Sequence, residues 1–263
     1  YEYVMKLNVY RKKDWLFLVG SIESNQLHKH YAIQFSVVVD GTLSIISNNI
    51  KTSVKSAVLI KPTIPHCVES TGNNLHLFFN THSKLGLFIN SMAEERTYYF
   101  DDSLISELQN PVRKYLAEEI NIWQLASLIE HIVKEDPRFK KFEQVIDNRI
   151  LRVFDFLFAN RSRWVSAGEC ADLACLSKSR FLHFFKEQTG STFRRSQLWI
   201  RIMESMPTLE LKGIAEAAHL YGFFDNAHYG RAFKENLGFS PKALINSAVL
   251  YNSPEMQNST FDN

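Results

Sequence analysis

The sequence is short of cysteine, of net charge and of long apolar runs, and each shortage narrows what the chain can be. Its 263 residues include three cysteines, Cys67, Cys170 and Cys175. Three thiols leave one unpaired however they are joined, which argues against a disulfide scaffold and for a reducing compartment. Cys170 and Cys175 sit in an alanine-rich helical stretch where small buried thiols are expected. The net charge is only +2, so the total points to no polyanion. The longest apolar runs, such as Trp15–Gly20 and Ala57–Ile60, fall far short of the roughly 20 residues that cross a bilayer. No signal peptide stands before them. A soluble, cytoplasmic protein with no membrane partner is expected.

What is present is enough apolar material, 45% of residues, for about two domain cores. The charge is uneven. Residues 1–150 hold 17 basic and 17 acidic side chains, whereas residues 161–242 hold 12 basic against 8 acidic. That mild excess suits a polyanion without requiring one. From about residue 15 to 80 the texture is β. Phe35–Ile46 is rich in β-branched residues and is interrupted by Asp40-Gly41, a hairpin signal. Ser47–Asn49 offers a second turn, and Ala57–Pro62 and Leu75–Asn80 read as further strands. Many short strands with tight turns predict a sandwich or barrel. After residue 84 the texture turns helical and stays so to about Tyr251. Val112–Val133 reads as one amphipathic helix, with Tyr115, Leu116, Ile122, Trp123, Ala126, Ile129 and Val133 on its apolar stripe. Lys134–Lys141, charged and broken by proline, reads as a linker.

One unit occurs twice, as Leu176–Gly190 (LSKSRFLHFFKEQTG) and Phe224–Gly238 (FDNAHYGRAFKENLG). In the first, Phe181, Phe184, Phe185 and Gln188 share a helical face, while Lys178, Ser179, His183 and Lys186 lie on or near the other. Ser177 suits the N-cap and Gly190 the C-terminal stop. The small-residue segment Ser166–Leu176 supplies a short helix before it. In the second copy Ile214–Phe223 plays that part and Asp225 caps the next helix. Tyr229 and Phe233 then face inward, and Asn226, His228, Arg231 and Lys234 outward. Two short helices joined by a tight turn, the second with a donor-bearing face, are what a helix-turn-helix needs to enter a major groove.

These stretches, with Arg201-Ile202 inside Leu198–Met206 and the closing Gly238–Pro241 (GFSP), resemble the paired helix-turn-helix motifs of the AraC/XylS family of bacterial transcription regulators. The likeness runs from Arg149 to Tyr251. Ala227 departs from a common serine and Ala217 from a larger aliphatic residue. The resemblance implies double-stranded DNA as partner, with two recognition helices entering successive major-groove segments. It also makes RNA polymerase a further partner, and it implies no enzymatic activity. Lys178, Ser179, Arg180, His183, Asn226, His228 and Arg231 become candidates for base or phosphate contacts. Lys186, Arg194, Arg195 and Lys234 become phosphate clamps, which position the protein without reading sequence.

His28-x-His30-x3-Gln34-x6-Gly41, followed by Pro62-x-x-Pro65-His66, resembles the cupin barrel. Alternate strand residues share a side, which would bring His28 and His30 together. Metal-binding cupins use such histidines with a carboxylate where Gln34 stands, and with a glycine where Pro65 stands. Sensor cupins of the AraC family generally bind a small organic effector instead. His28, His30, Gln34 and His66 are therefore expected to line an effector pocket. His28, His30 and His66 are only secondary candidates for a metal, and no cofactor is expected. Cys67 should point away into the core. The expected organisation is an α+β two-domain chain. Residues 1–84 form a cupin-like β-barrel that binds the effector, and 85–148 form a helical linker whose 112–133 stripe either makes a homodimer or packs on its own barrel or on the helix near 85–92. An all-α DNA-binding domain follows at 149–251, and a flexible tail at 252–263. The function implied is a sequence-specific regulator whose DNA affinity follows an effector. The rival is a metal-dependent cupin enzyme with a helical appendage.

Overall fold

The computed structural model describes residues 5–23, 25–95, 97–100 and 103–254. The expected flexible tail lies, from residue 255 on, outside the described residues. The chain begins with β1 (Met5–Arg11), β2 (Trp15–Ile22), β3 (Ile33–Val38), β4 (Thr42–Ser47), β5 (Ile50–Ser53), β6 (Ala57–Ile60), β7 (Cys67–Thr71) and β8 (Asn74–Phe79). Next come α1 (Lys84–Ser91), β9 (Thr97–Phe100), α2 (Ser103–Leu116), α3 (Ile122–Glu135) and α4 (Pro137–Lys140). The C-terminal part comprises α5 (Asn148–Ala159), α6 (Ala167–Leu173), α7 (Lys178–Thr189), α8 (Phe193–Leu220), α9 (Asn226–Leu237), α10 (Pro241–Ser247) and β10 (Ala248–Asn252).

The strands form two facing sheets, a large one in the order β10-β1-β2-β8-β3-β6-β9 and a small one in the order β5-β4-β7. Asn48 and Asn49 both have positive φ, the two-residue geometry that joins β4 to β5 as the sequence predicts. Asp40-Gly41 does something else. It is a corner that carries the chain from β3 in the large sheet to β4 in the small one. A Cβ on Gly41 would sit 2.2 Å from the Thr71 carbonyl oxygen, so only glycine lets the two corner loops touch.

The large sheet is buried on both faces, which explains why Trp15–Ile22 is apolar without alternation. Leu16 and Leu18 pack with β4, β7 and the C-terminal helices, whereas Trp15, Phe17 and Val19 pack under α1, α2 and α3. The single helix expected over 112–133 is in fact two. The chain breaks between Leu116 and Ile122, where Glu118 has φ 60°, and a capping box of Asn121 and Gln124 starts α3. The stripe expected to face a second copy turns inward. Ile122, Ala126, Ile129 and Val133 are at most 3% exposed against the large sheet. Trp123 is the exception, half exposed at the edge of Tyr251.

The helical texture expected from residue 84 to Tyr251 is interrupted by β9 and ends in β10. β10 runs parallel to β1, pairing Leu7 with Ala248 and Arg11 with Asn252. The C-terminal segment thus completes the N-terminal sheet. Arg11 fastens the junction, donating to the Met203 carbonyl and to Asn252 Oδ1 and lying 3.6 Å from Glu204. One apolar core runs from Leu7, Leu16 and Leu18 into Trp199, Met206, Phe233 and Leu244, so the two halves are packed as one body.

Candidate nucleic-acid interface and effector cavity

The first helix-turn-helix is α6 and α7. Ser166 and Glu169 cap α6 reciprocally. Leu176 N–H donates to the Ala171 carbonyl and closes the turn. Cys175, expected to be a buried thiol, is instead exposed at the turn with φ 55°; Cys170 is buried as expected. Ser177 Oγ accepts from Arg180 N–H, and Gly190 ends α7 at φ 70°. Phe181 and Phe185 are fully buried and meet Phe193 edge-on at 5.3 and 5.6 Å. Phe184 and Gln188 are half-buried: the Arg149 guanidinium covers the Phe184 ring, and Gln188 accepts from Asp147 N–H. Lys178, Ser179, Arg180, His183 and Lys186 all lie exposed along α7.

The second unit begins inside α8. Gly213, at φ 85° and ψ −178°, breaks the helix, leaving Ile214–Leu220 as the first helix of the pair. Asp225 caps α9 by accepting from His228 N–H. Tyr229 and Phe233 are fully buried, and the Tyr229 hydroxyl meets Ser205 Oγ at 2.8 Å. Asn226 and Arg231 are exposed and Lys234 half-exposed. The His228 ring turns back onto Phe223, and its Nδ1 accepts from Phe224 N–H. Arg194 is exposed, but the Arg195 guanidinium lies 5.4 Å from the Tyr31 ring of the N-terminal domain.

Arg201, on α8 between the two units, is 1% exposed. Its Nε donates to the Arg161 carbonyl, its Nη1 to the Gly222 carbonyl, and its guanidinium lies over Trp164 at 4.3 Å. Gly222 is the turn of the second unit, and a Cβ there would meet Arg201 Nη2 at 2.4 Å. One buried side chain therefore fixes the second turn against the loop before the first unit.

The structure brings His28, His30, Gln34 and His66 together. His28 and His66 form an isolated antiparallel bridge, and all four side chains are 5% exposed or less. The ring centroids are 4.3 to 5.6 Å apart. Each Nδ1 faces a carbonyl two residues away, those of Gln26, Ala32 and Ile64 respectively. Gln34 Oε1 lies 2.9 Å from His30 Nε2 and 3.0 Å from His66 Nε2. Gln34 Nε2 donates to Ser36 Oγ, which also meets His76 Nδ1. Burial is the first cause lowering all these imidazole pKa values, His28 to about 3 and His76 to about 4. Cys67 beside them is half-buried.

Next to this cluster lies an apolar cavity of about 30 Å³ between the sheets and the C-terminal helices. Leu16, Ile22 and Phe78 wall one side and Met206, Leu237 and Phe239 the other, with Asn25, His28 and Gln34 as its polar groups. The second recognition helix docks beside it. Gln26 N–H donates to the Gly238 carbonyl and Lys29 N–H to that of Glu235. A Cβ on Gly238 would lie 2.8 Å from His28 Nδ1. Periodicity gave no sign of this contact, because it joins a loop to a helix terminus across most of the chain.

A helix-turn-helix domain family matches residues 170–247, the span that holds α7, α9 and the turns of both helix-turn-helix units. Two curated relatives match part of the chain. The HTH-type transcriptional regulator YidL of Escherichia coli is 28% identical over 127 residues, 47% of this chain and 40% of the relative. The XylDLEGF operon transcriptional activator 2 of Pseudomonas putida is 28% identical over 99 residues, 36% of this chain and 63% of the relative. The chain thus spans less than two thirds of either. The overall fold is similar to that of ToxT. The apo form of a lysine-to-alanine variant of ToxT from Vibrio cholerae superposes with a TM-score of 0.61 at 12% identity, covering 94% of this chain and 98% of ToxT. ToxT bound to an unsaturated fatty acid superposes at 0.56 with 14% identity, covering 90% and 96%. Among the described residues no helix is long and apolar enough to cross a membrane.

Proposed function

We propose that the chain is a sequence-specific transcription regulator whose DNA affinity is set by a small effector bound in the N-terminal domain. The observation that carries this is the docking of α9 on the segment that holds His28: a recognition helix and the cavity share one wall. At about 30 Å³ the cavity holds little more than a water or two. An organic effector has to displace Met206, Leu237 or Phe239, and these sit on the DNA-binding side. Binding and the placement of the second helix-turn-helix are then linked, and the effector acts through its differential affinity for the two arrangements. No lysine or arginine lines the cavity. The fatty acid of the ToxT complex would bring a carboxylate that finds no cation here, so an uncharged apolar effector with one or two hydrogen-bonding groups fits better.

Exposed Lys178, Ser179, Arg180 and His183, then Asn226 and Arg231, are the groups offered to bases; Lys186, Arg194 and Lys234 serve the phosphates. Arg195 joins them only if it leaves Tyr31. A homodimer through the 112–133 region would have to use the outer faces of α2 and α3, where Trp123 lies, since the inner stripe is core. RNA polymerase is the further partner expected of an activator. The rival cupin enzyme is disfavoured because the matching relatives are named as transcription regulators. The test is fluorescence anisotropy of genomic fragments against random DNA at physiological salt, with and without apolar ligands. Specific binding that falls steeply with salt is expected; no preference over random DNA under any condition would refute the reading.

A further inference from the structure

The turns of the two helix-turn-helix units close in the same way but differ in length. In the first unit Leu176 N–H donates to the Ala171 carbonyl, and the cap Ser177 follows at once. In the second, Phe223 N–H donates to the Ala218 carbonyl, and one further residue, Phe224, stands before the cap Asp225. Leu176 thus does two things, closing its turn and packing half-buried at the head of α7. Phe223 does both in the second unit: it is buried, with its ring 4.9 Å from Tyr229 and 5.4 Å from His228. The residue before a cap commonly packs onto the fourth helical position. Here that position is Tyr229, whose ring Phe223 already covers. Phe224 is therefore released, and at 91% it is the most exposed large apolar side chain among the described residues. Its backbone is nonetheless held, since Phe224 N–H donates to His228 Nδ1.

We infer that Phe224 reads a thymine, its ring packing on the C5-methyl group in the major groove beside the base that Asn226 contacts. The inference rests on the regulator reading above. A recognition helix presents its N-terminal residues to base edges, and Phe224 stands at that end of α9. The opposite end is the one docked on the N-terminal domain, through Glu235 and Gly238. At 1.5 Å per residue the two ends are about 18 Å apart, so the docked arrangement leaves Phe224 free to meet DNA. Base edges otherwise offer donors and acceptors, and the thymine methyl is the apolar group that a phenylalanine can cover in that groove. The ring carries no charge and no donor, so a phosphate is no partner for it.

The test uses the full chain and the genomic fragment it prefers, footprinted to locate the site. Each thymine of the site is replaced in turn by deoxyuridine, which removes the methyl group and nothing else. One thymine under the second unit should cost the parent about fourfold in affinity, the value of one buried methyl-sized group, and should cost Phe224→Ala nothing. Phe224→Leu should keep part of that sensitivity. All three proteins should show the same salt slope, because no charge is lost, and the same thermal melt, because the side chain is exposed. A Phe224→Ala profile identical to the parent's, a loss that falls equally on specific and random DNA, or a loss that no single thymine accounts for would each overturn the assignment while leaving the regulator reading intact. A parent with no preference over random DNA would refute that reading, and this contact with it.

Discussion

Replacing Arg201 tests how the two helix-turn-helix units are held in register. Two charge-assisted hydrogen bonds, to Arg161 and Gly222, are worth about 1.5–3 kcal/mol each, and stacking on Trp164 adds about 1–2 kcal/mol. Against this stands the cost of burying the guanidinium. Burial pushes its pKa down to about 10 from 12.5, a penalty of about 3 kcal/mol at roughly 1.4 kcal/mol per unit. Arg201→Met removes gain and penalty together and keeps much of the packing, so a net loss of about 1–3 kcal/mol is expected. Arg201→Lys keeps the burial cost but cannot reach both carbonyls with one ammonium, so it should lose about 2 kcal/mol more. Thermal melts by circular dichroism resolve the difference, since 1 kcal/mol corresponds to about 2–4 °C at this size. A lysine variant more stable than the methionine variant would refute the reasoning.

Three further outcomes are expected. Arg180→Ala should cost about 1–3 kcal/mol and relax preference at one operator position, whereas Lys186→Ala should weaken all sequences alike and lower the salt slope by about 1; equal, sequence-blind losses in competition binding would reverse those roles. Ile129→Asp should prevent folding, since a carboxylate at a 1% exposed position costs more than about 4 kcal/mol; a folded monomer by light scattering would mean the α3 stripe is a dimer surface after all. His76 and His82 are neutral in the fold, their pKa values lowered to about 4 and about 3 by burial, in His82 with help from Lys13. The unfolded chain takes up these protons near 6.5 and the folded chain does not, so stability should be full above pH 6.5. Below it each should cost about 1.4 kcal/mol per pH unit until its folded pKa is reached. Melts that do not change between pH 7 and 5 would contradict this.

The helix-turn-helix units were legible because their signals are local. Ser177, Gly190, Asp225 and Gly238 act within one helix, and Phe181, Phe185, Tyr229 and Phe233 follow the helical period, so caps and inward faces stand where the spacing put them. The Asn48-Asn49 turn was legible for the same reason. Asp40-Gly41 shows the limit: positive φ was correctly implied, but whether the next strand pairs with the last or crosses to another sheet is not a local property. Glu118 likewise broke a helix that the apolar period alone ran through unbroken.

Sequence alone determined that His28, His30, Gln34 and His66 belong together, since their spacing matches a known barrel, and that basic residues line the outer faces of two short helices. Tertiary structure alone decided what those groups face. Gln34 aims its oxygen at two rings only because β3 lies across from the His28–His66 bridge. The α3 stripe became core rather than interface because the large sheet has a second apolar face to cover. The C-terminal strand joined β1, and Gly238 came to rest on His28, because the apolar faces of α8, α9 and α10 found their burial partner in the N-terminal sheets. Burial is a property of pairs of surfaces distant in the chain. A sequence read residue by residue carries each surface but not the pairing.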